Sequence, residues 1–99
     1  VPAGKSIRAE IIEGDAETCE EFGVDSRLTL FNAAATQLVD DDDAGRGYCS
    51  LIDGTGATPN YSGAHNLAAG TYYIRVAAST FSQANADGQF DYKLAVTVR

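Results

Sequence analysis

The residues of this 99-residue chain that are best suited to do chemistry are four consecutive aspartates at positions 40–43. Adjacent carboxylates repel one another, so the run destabilises a fold unless a cation or water screens it. Calcium takes about six to eight oxygen ligands, which an aspartate-rich turn can supply. The run does not match an EF-hand, because Ala44 and Leu51 stand where that motif needs ligands. Two interpretations stay open, a calcium site composed of several loops and a solvated acidic turn.

The second candidate feature is the pair of cysteines, Cys19 and Cys49, which are the only two in the chain. An even number of cysteines in a small acidic domain predicts one disulfide and an oxidising compartment. In the loop-closure model that bond would stabilise the fold by about 3–4 kcal/mol. Two buried free thiols are the alternative. The spacing does not suit a zinc site, because there is no Cys-x-x-Cys pair and His65 is distant in sequence.

The charge balance predicts which partners the chain avoids. Seven basic against 14 acidic residues give a net charge of −7. Nucleic acids and anionic lipids are bound by lysine and arginine, so we expect neither as a partner. No apolar run approaches the roughly 20 residues of a membrane-spanning helix, so we expect no membrane insertion.

Catalysis is not expected from this sequence. His65 is the only histidine, and no Gly-x-Ser-x-Gly motif accompanies Ser62 or Ser79. A small β-domain also leaves little depth for a substrate cleft, so we predict that the chain is not an enzyme. A small stand-alone hydrolase is a remote alternative.

The elements that must position these residues are predicted to be β-strands. Apolar residues alternate with a period of two in four segments, at 7–11, 27–31, 72–76 and 90–98, and a shorter strand is expected around 48–52. Glycine and aspartate mark the turns between them. We expect no convincing helix, at most a turn within 15–21. The pattern therefore predicts one all-β domain, an antiparallel sandwich or barrel.

The alternation also assigns the aromatic residues to faces. It places Tyr72, Phe90 and Tyr92 in the core and turns Tyr73 to the opposite face, beside Arg75. An outward tyrosine next to an arginine suits the recognition of a protein or a polysaccharide. A two-sided core that also buries Tyr73 is the alternative, and it is the one that we predict.

Several segments together resemble the bacterial pre-peptidase C-terminal domain. Its pattern of strand, aspartate cluster and Gly-Thr-Tyr-Tyr string is similar to residues 25–31 (DSRLTLF), 38–43 (LVDDDD), 45–52 (GRGYCSLI), 67–76 (LAAGTYYIRV) and 88–96 (GQFDYKLAV). The resemblance extends from about residue 3 to the end of the chain. Family members usually begin with a further strand, which residues 1–99 do not include, and the two cysteines are not part of the common pattern.

The resemblance implies a jelly-roll-like β-sandwich that is similar to the collagen-binding domains of collagenases. Members are non-catalytic modules of secreted peptidases and other exported proteins, and some bind calcium. The resemblance suggests Asp25 as a ligand together with Asp41, Asp42 or Asp43. We therefore expect a secreted or cell-surface module, bound in cis to a parent peptidase or other secreted protein. It would aid export, stability, or attachment to a collagen-like protein or polysaccharide. A structural or adhesion module of a larger surface protein, binding protein or glycan, is the alternative.

Overall fold

In the residues that it describes, the computed structural model of the chain contains six strands in two antiparallel three-stranded sheets. One sheet has the order β4–β1–β6 and the other has the order β3–β2–β5, which confirms the predicted all-β sandwich. The strands are β1 (Ile7–Ile12), β2 (Ser26–Phe31), β3 (Gln37–Asp41), β4 (Leu51–Asp53), β5 (Tyr73–Ala78) and β6 (Lys93–Val98). The structure describes residues 1–12, 26–42, 44–46, 49–78 and 92–99.

The core lies between the two central strands, where the period-two alternation predicted it. Ile7, Ala9 and Ile11 of β1 are buried, and so are Leu28 and Leu30 of β2. Successive side chains of a strand point to opposite faces, so each strand turns one apolar row toward the other sheet. Burial of such a side chain stabilises the fold by about 1.5–3 kcal/mol, and this apolar packing holds the two sheets together.

A buried pair of serines also connects the two sheets. Ser26 begins β2, and Ser50 directly precedes β4 in the opposite sheet; neither is exposed. Their hydroxyl oxygens lie 2.9 Å apart, and the Ser50 hydroxyl lies 2.8 Å from the Ser26 carbonyl oxygen. Buried polar groups need such partners, so this pair is a directional contact inside an otherwise apolar interface.

Several local predictions were wrong or shifted. The strand β3 was not predicted, and β4 begins three residues later than the strand expected around 48–52. Tyr92 was expected in the core, yet 47% of its surface is exposed. Tyr72 is half-buried and packs against the core, while Phe90 and the turn predicted within 15–21 lie outside the described residues.

Candidate functional site

The register between β2 and β5 brings Tyr73 and Arg75 together on the outer face of their sheet. Phe31 lies opposite Tyr73, and Thr29 lies opposite Arg75. Residues that face each other in an antiparallel pair point to the same side of the sheet. Tyr73 is 56% exposed, so the two-sided core that would have buried it is wrong. We call the exposed Tyr73 and Arg75, together with Phe31 and the buried Thr29 that contact Arg75, the Tyr73–Arg75 surface.

The Arg75 side chain is held by contacts within this surface. Its guanidinium carbon lies 5.3 Å from the centre of the Phe31 ring, within the range of a cation–π interaction. One of its nitrogens donates a hydrogen bond to the Thr29 hydroxyl at 3.3 Å. Neither contact neutralises the positive charge. Within the described residues, Arg75 makes no ion pair with a carboxylate.

A second arginine borders the Tyr73–Arg75 surface and is fully paired. Arg27 donates two hydrogen bonds to one carboxylate oxygen of Asp40 on β3, the longer of them at 3.0 Å. The hydrogen bond to Asp40 and its charge raise the pKa of Arg27 above the ordinary value. Arg75 therefore differs from Arg27 in keeping its charge available to another molecule.

The outer face of the other sheet carries a cluster of paired charges around Glu10. Glu10 on β1 is buried and accepts a hydrogen bond from Arg8 at 2.8 Å and one from Arg46 at 3.1 Å. Arg8 also lies 3.3 Å from Asp53 on β4. Burial opposes ionisation of Asp53, but the hydrogen bonds from Thr55 and the charge of Arg8 outweigh it, so the pKa of Asp53 is lowered. These residues stabilise one another within the protein.

The described part of the aspartate run makes hydrogen bonds within the protein. One oxygen of Asp41 accepts the backbone N–H groups of Leu51 at 2.8 Å and of Ala44 at 3.0 Å. The other oxygen accepts the Tyr61 hydroxyl. Asp41 lies opposite Leu28 on β2, so its side chain turns toward the inner side, where the Leu51 N–H of the other sheet can reach it.

This arrangement bears on the predicted calcium site. Three N–H and O–H groups donate hydrogen bonds to the Asp41 carboxylate, and their partial positive charges stabilise its negative charge, as a bound cation also would. Among the described residues, no three histidine, cysteine or acidic side chains are grouped so that they could hold a metal ion. The predicted ligands Asp25 and Asp43 lie outside the described residues, so calcium binding stays a prediction, and the described contacts of Asp41 are hydrogen bonds within the protein.

Of the two cysteines in the predicted disulfide, the structure describes only Cys49. Cys49 is fully buried, and no described cysteine has a free thiol. Cys19 lies outside the described residues, and its pairing with Cys49 stays a prediction.

The only histidine is part of a loop contact. His65 Nδ1 lies 2.8 Å from the Gly54 carbonyl oxygen, to which it donates, and 3.3 Å from the buried Ser6 hydroxyl. A protonated Nδ1 cannot take a proton from Ser6. The loop is tightly packed here, because a Cβ atom at Gly54 would lie 2.2 Å from the Ala64 carbonyl oxygen. Ser6 and His65 therefore stabilise this loop and do not form a nucleophile with its base.

Comparisons of the chain with protein-family models, with curated proteins and with solved structures found no match. The resemblance to the pre-peptidase C-terminal domain therefore stays a prediction. In the described part of the chain there is no helix of the length and apolar character needed to cross a membrane.

Proposed function

We propose that this chain is a non-catalytic accessory module that attaches a secreted bacterial protein to its substrate or to a surface. The parent, joined in cis, would be a peptidase or another exported protein. The observation that carries the proposal is the Tyr73–Arg75 surface, an exposed tyrosine beside an arginine that is held in place and, among the described residues, has no ion pair with a carboxylate.

The composition of this surface favours an extended biological polymer as the ligand. Arginine and tyrosine are enriched at recognition surfaces, because each combines a flat apolar area with hydrogen-bond donors. The outer face of a sheet is broad and shallow, so it suits a chain that lies across it better than a small molecule that needs a cavity. Collagen-like protein and polysaccharide are both polymers of this kind.

Two further properties belong to the proposal. An oxidising compartment would explain why the buried Cys49 does not have a free thiol, which supports export of the protein. Calcium is proposed as a ligand of the loop after β3, where Asp42 continues the run that began with Asp40 and Asp41. The hydrogen bonds of Asp41 would then position this loop and leave coordination to its neighbours.

A binding measurement with single variants tests the attachment surface. The full chain is titrated with soluble collagen-derived peptides and with polysaccharides, and the dissociation constants are compared among Tyr73→Ala, Arg75→Ala and the unaltered chain. We expect each variant to bind about tenfold or more weakly, the effect of a central contact residue. Lys93→Ala is the matched control, because Lys93 is an exposed basic residue of the other sheet.

The titration has outcomes that would reject the proposal. If no polymer of either class binds, or if Lys93→Ala weakens binding as much as Arg75→Ala, the Tyr73–Arg75 surface is not the attachment site. Turnover of a peptide or glycan substrate by the full chain would instead show an enzyme.

A further inference from the structure

The strand β6 leaves a row of apolar side chains exposed on the inner side of its sheet. Leu94, Val96 and Val98 lie opposite Ile11, Ala9 and Ile7 of β1, so all six point the same way. The three residues of β1 are buried, whereas Leu94, Val96 and Val98 are 39%, 47% and 45% exposed. The apolar inner face therefore extends one strand beyond the part that the other sheet covers.

The backbone of the same three residues faces an open edge. Within the described residues, β6 pairs on one side only, with β1. Ser6 and Arg99 exchange both of their backbone hydrogen bonds, at 2.7 and 3.0 Å. Hydrogen-bonded pairs alternate with non-bonded pairs along an antiparallel ladder, so the N–H and C=O groups of Leu94, Val96 and Val98 point away from β1. Unpaired edge groups of this kind are a template for another strand.

A second copy of the chain is a poor occupant of this edge. Antiparallel self-pairing centred on Val96 would place Leu94 opposite Val98, but also Lys93 opposite Arg99. Like charges directly opposite each other destabilise a strand pair. Three half-exposed aliphatic side chains also fall far short of the roughly 800 Å² per partner that a stable dimer buries.

The charges of β6 indicate what the edge would accept. Lys93 and Arg99 stand at the two ends of the apolar row, and within the described residues neither makes an ion pair. A strand with alternating apolar residues would continue the sheet and cover the row, and carboxylates near its ends would meet the two cations. We propose that β6 is an acceptor edge for one extended protein segment of this type, apolar at alternate positions and acidic at both ends.

The test uses the full chain, labelled for NMR, and a synthetic peptide that alternates valine and threonine between terminal glutamates. We expect binding to protect the amide hydrogens of Leu94, Val96 and Val98 from exchange, because these three point to the open edge. The same peptide with terminal lysines should bind about tenfold or more weakly.

Two lysine variants separate the edge from a general charge effect. Val96→Lys places a charge within the apolar row, whereas Ala95→Lys adds the same charge on the other face of β6. We expect Val96→Lys to weaken peptide binding about tenfold or more and Ala95→Lys to preserve it. If Val96→Lys does not fold, Val96→Thr replaces it and should weaken binding in the same direction.

Three results would overturn the proposal. One is no protection of these amides at millimolar peptide. Another is equal affinity for the acidic and basic peptides. The third is concentration-dependent self-association of the chain, measured by sedimentation and abolished by Val96→Lys, which would make the occupant a second copy.

Discussion

Replacement of Asp41 tests whether the aspartate run serves the fold or a metal ion. The Asp41 carboxylate accepts hydrogen bonds from the Leu51 N–H, the Ala44 N–H and the Tyr61 hydroxyl. Asp41→Ala removes the acceptor of all three hydrogen bonds, so the Leu51 N–H and the Tyr61 hydroxyl, both partly buried, lose these bonds. The exposed Ala44 N–H can bond to water instead.

The expected cost follows from these contacts. A hydrogen bond to a charged group contributes about 1.5–3 kcal/mol, and two such bonds at a partly wetted site give a loss of about 3 kcal/mol for Asp41→Ala. Asp41→Asn should lose only about 1 kcal/mol, because its carbonyl oxygen can accept the backbone N–H groups and its amide can donate to the Tyr61 oxygen. The total free energy of unfolding of a small domain is about 5–15 kcal/mol, so both losses are measurable.

The assay is urea denaturation, followed by circular dichroism, in EDTA and again in millimolar calcium. Asp40→Ala is the matched control, since it removes the adjacent carboxylate from an exposed ion pair with Arg27, and such pairs contribute little. We expect Asp41→Ala to show the same large loss in both buffers. A loss equal to that of Asp40→Ala would refute the hydrogen-bond account. A loss confined to calcium would identify Asp41 as a metal ligand, as the sequence predicted.

Three further outcomes are expected. Leu28→Ala should lower the free energy of unfolding by about 2–5 kcal/mol in the same urea assay, because Leu28 is fully buried in the core; an unchanged midpoint would contradict this core. Because the pKa of Asp53 is lowered in the folded chain, its ionised carboxylate stabilises the fold at pH values above the ordinary aspartate pKa. This contribution is lost as the pH falls through the pKa that Asp53 has in the folded chain. Asp53→Asn should therefore make the free energy of unfolding fall less steeply as the pH is lowered. An unchanged pH dependence would contradict the ion pair between Arg8 and Asp53. Alkylation without reductant should leave the intact mass of the chain unchanged, whereas two alkylated thiols would exclude the Cys19–Cys49 bond.

The fold was predictable where a strand has one apolar and one polar face. The strands β1 and β2 have such faces, and their buried apolar residues are those that the alternation selects, although Glu10 and Thr29 are buried on the opposite faces. The strand β3 was missed because only Leu38 and Val39 are apolar in it, and its last two residues belong to the aspartate run. The alternation correctly placed Leu94, Val96 and Val98 on one face of β6. A pattern along one strand cannot show that the other sheet leaves these side chains exposed.

The candidate site was predictable only within one strand. Two residues apart on β5, Tyr73 and Arg75 must share a face, and this was derived from the sequence. Their contacts with Phe31 and Thr29 depend on the register between β2 and β5, which no local pattern contains. The alternation of Arg27, Thr29 and Phe31 was the available signal, since it placed all three on one side of β2. The same limit applies to Asp41, whose donors come from Leu51 and Tyr61 in other parts of the chain.

The serine pair between the sheets has a consequence for alignment. Contacts between aliphatic side chains are nearly non-directional, so two apolar faces could slide past each other by a fraction of a pleat at small cost. The hydroxyl groups of Ser26 and Ser50 bond at the observed offset, and sliding of one sheet past the other would break this bond in a dry interior. This pair therefore selects one lateral position of the two sheets, and with it the position of each strand end relative to the sheet across from it.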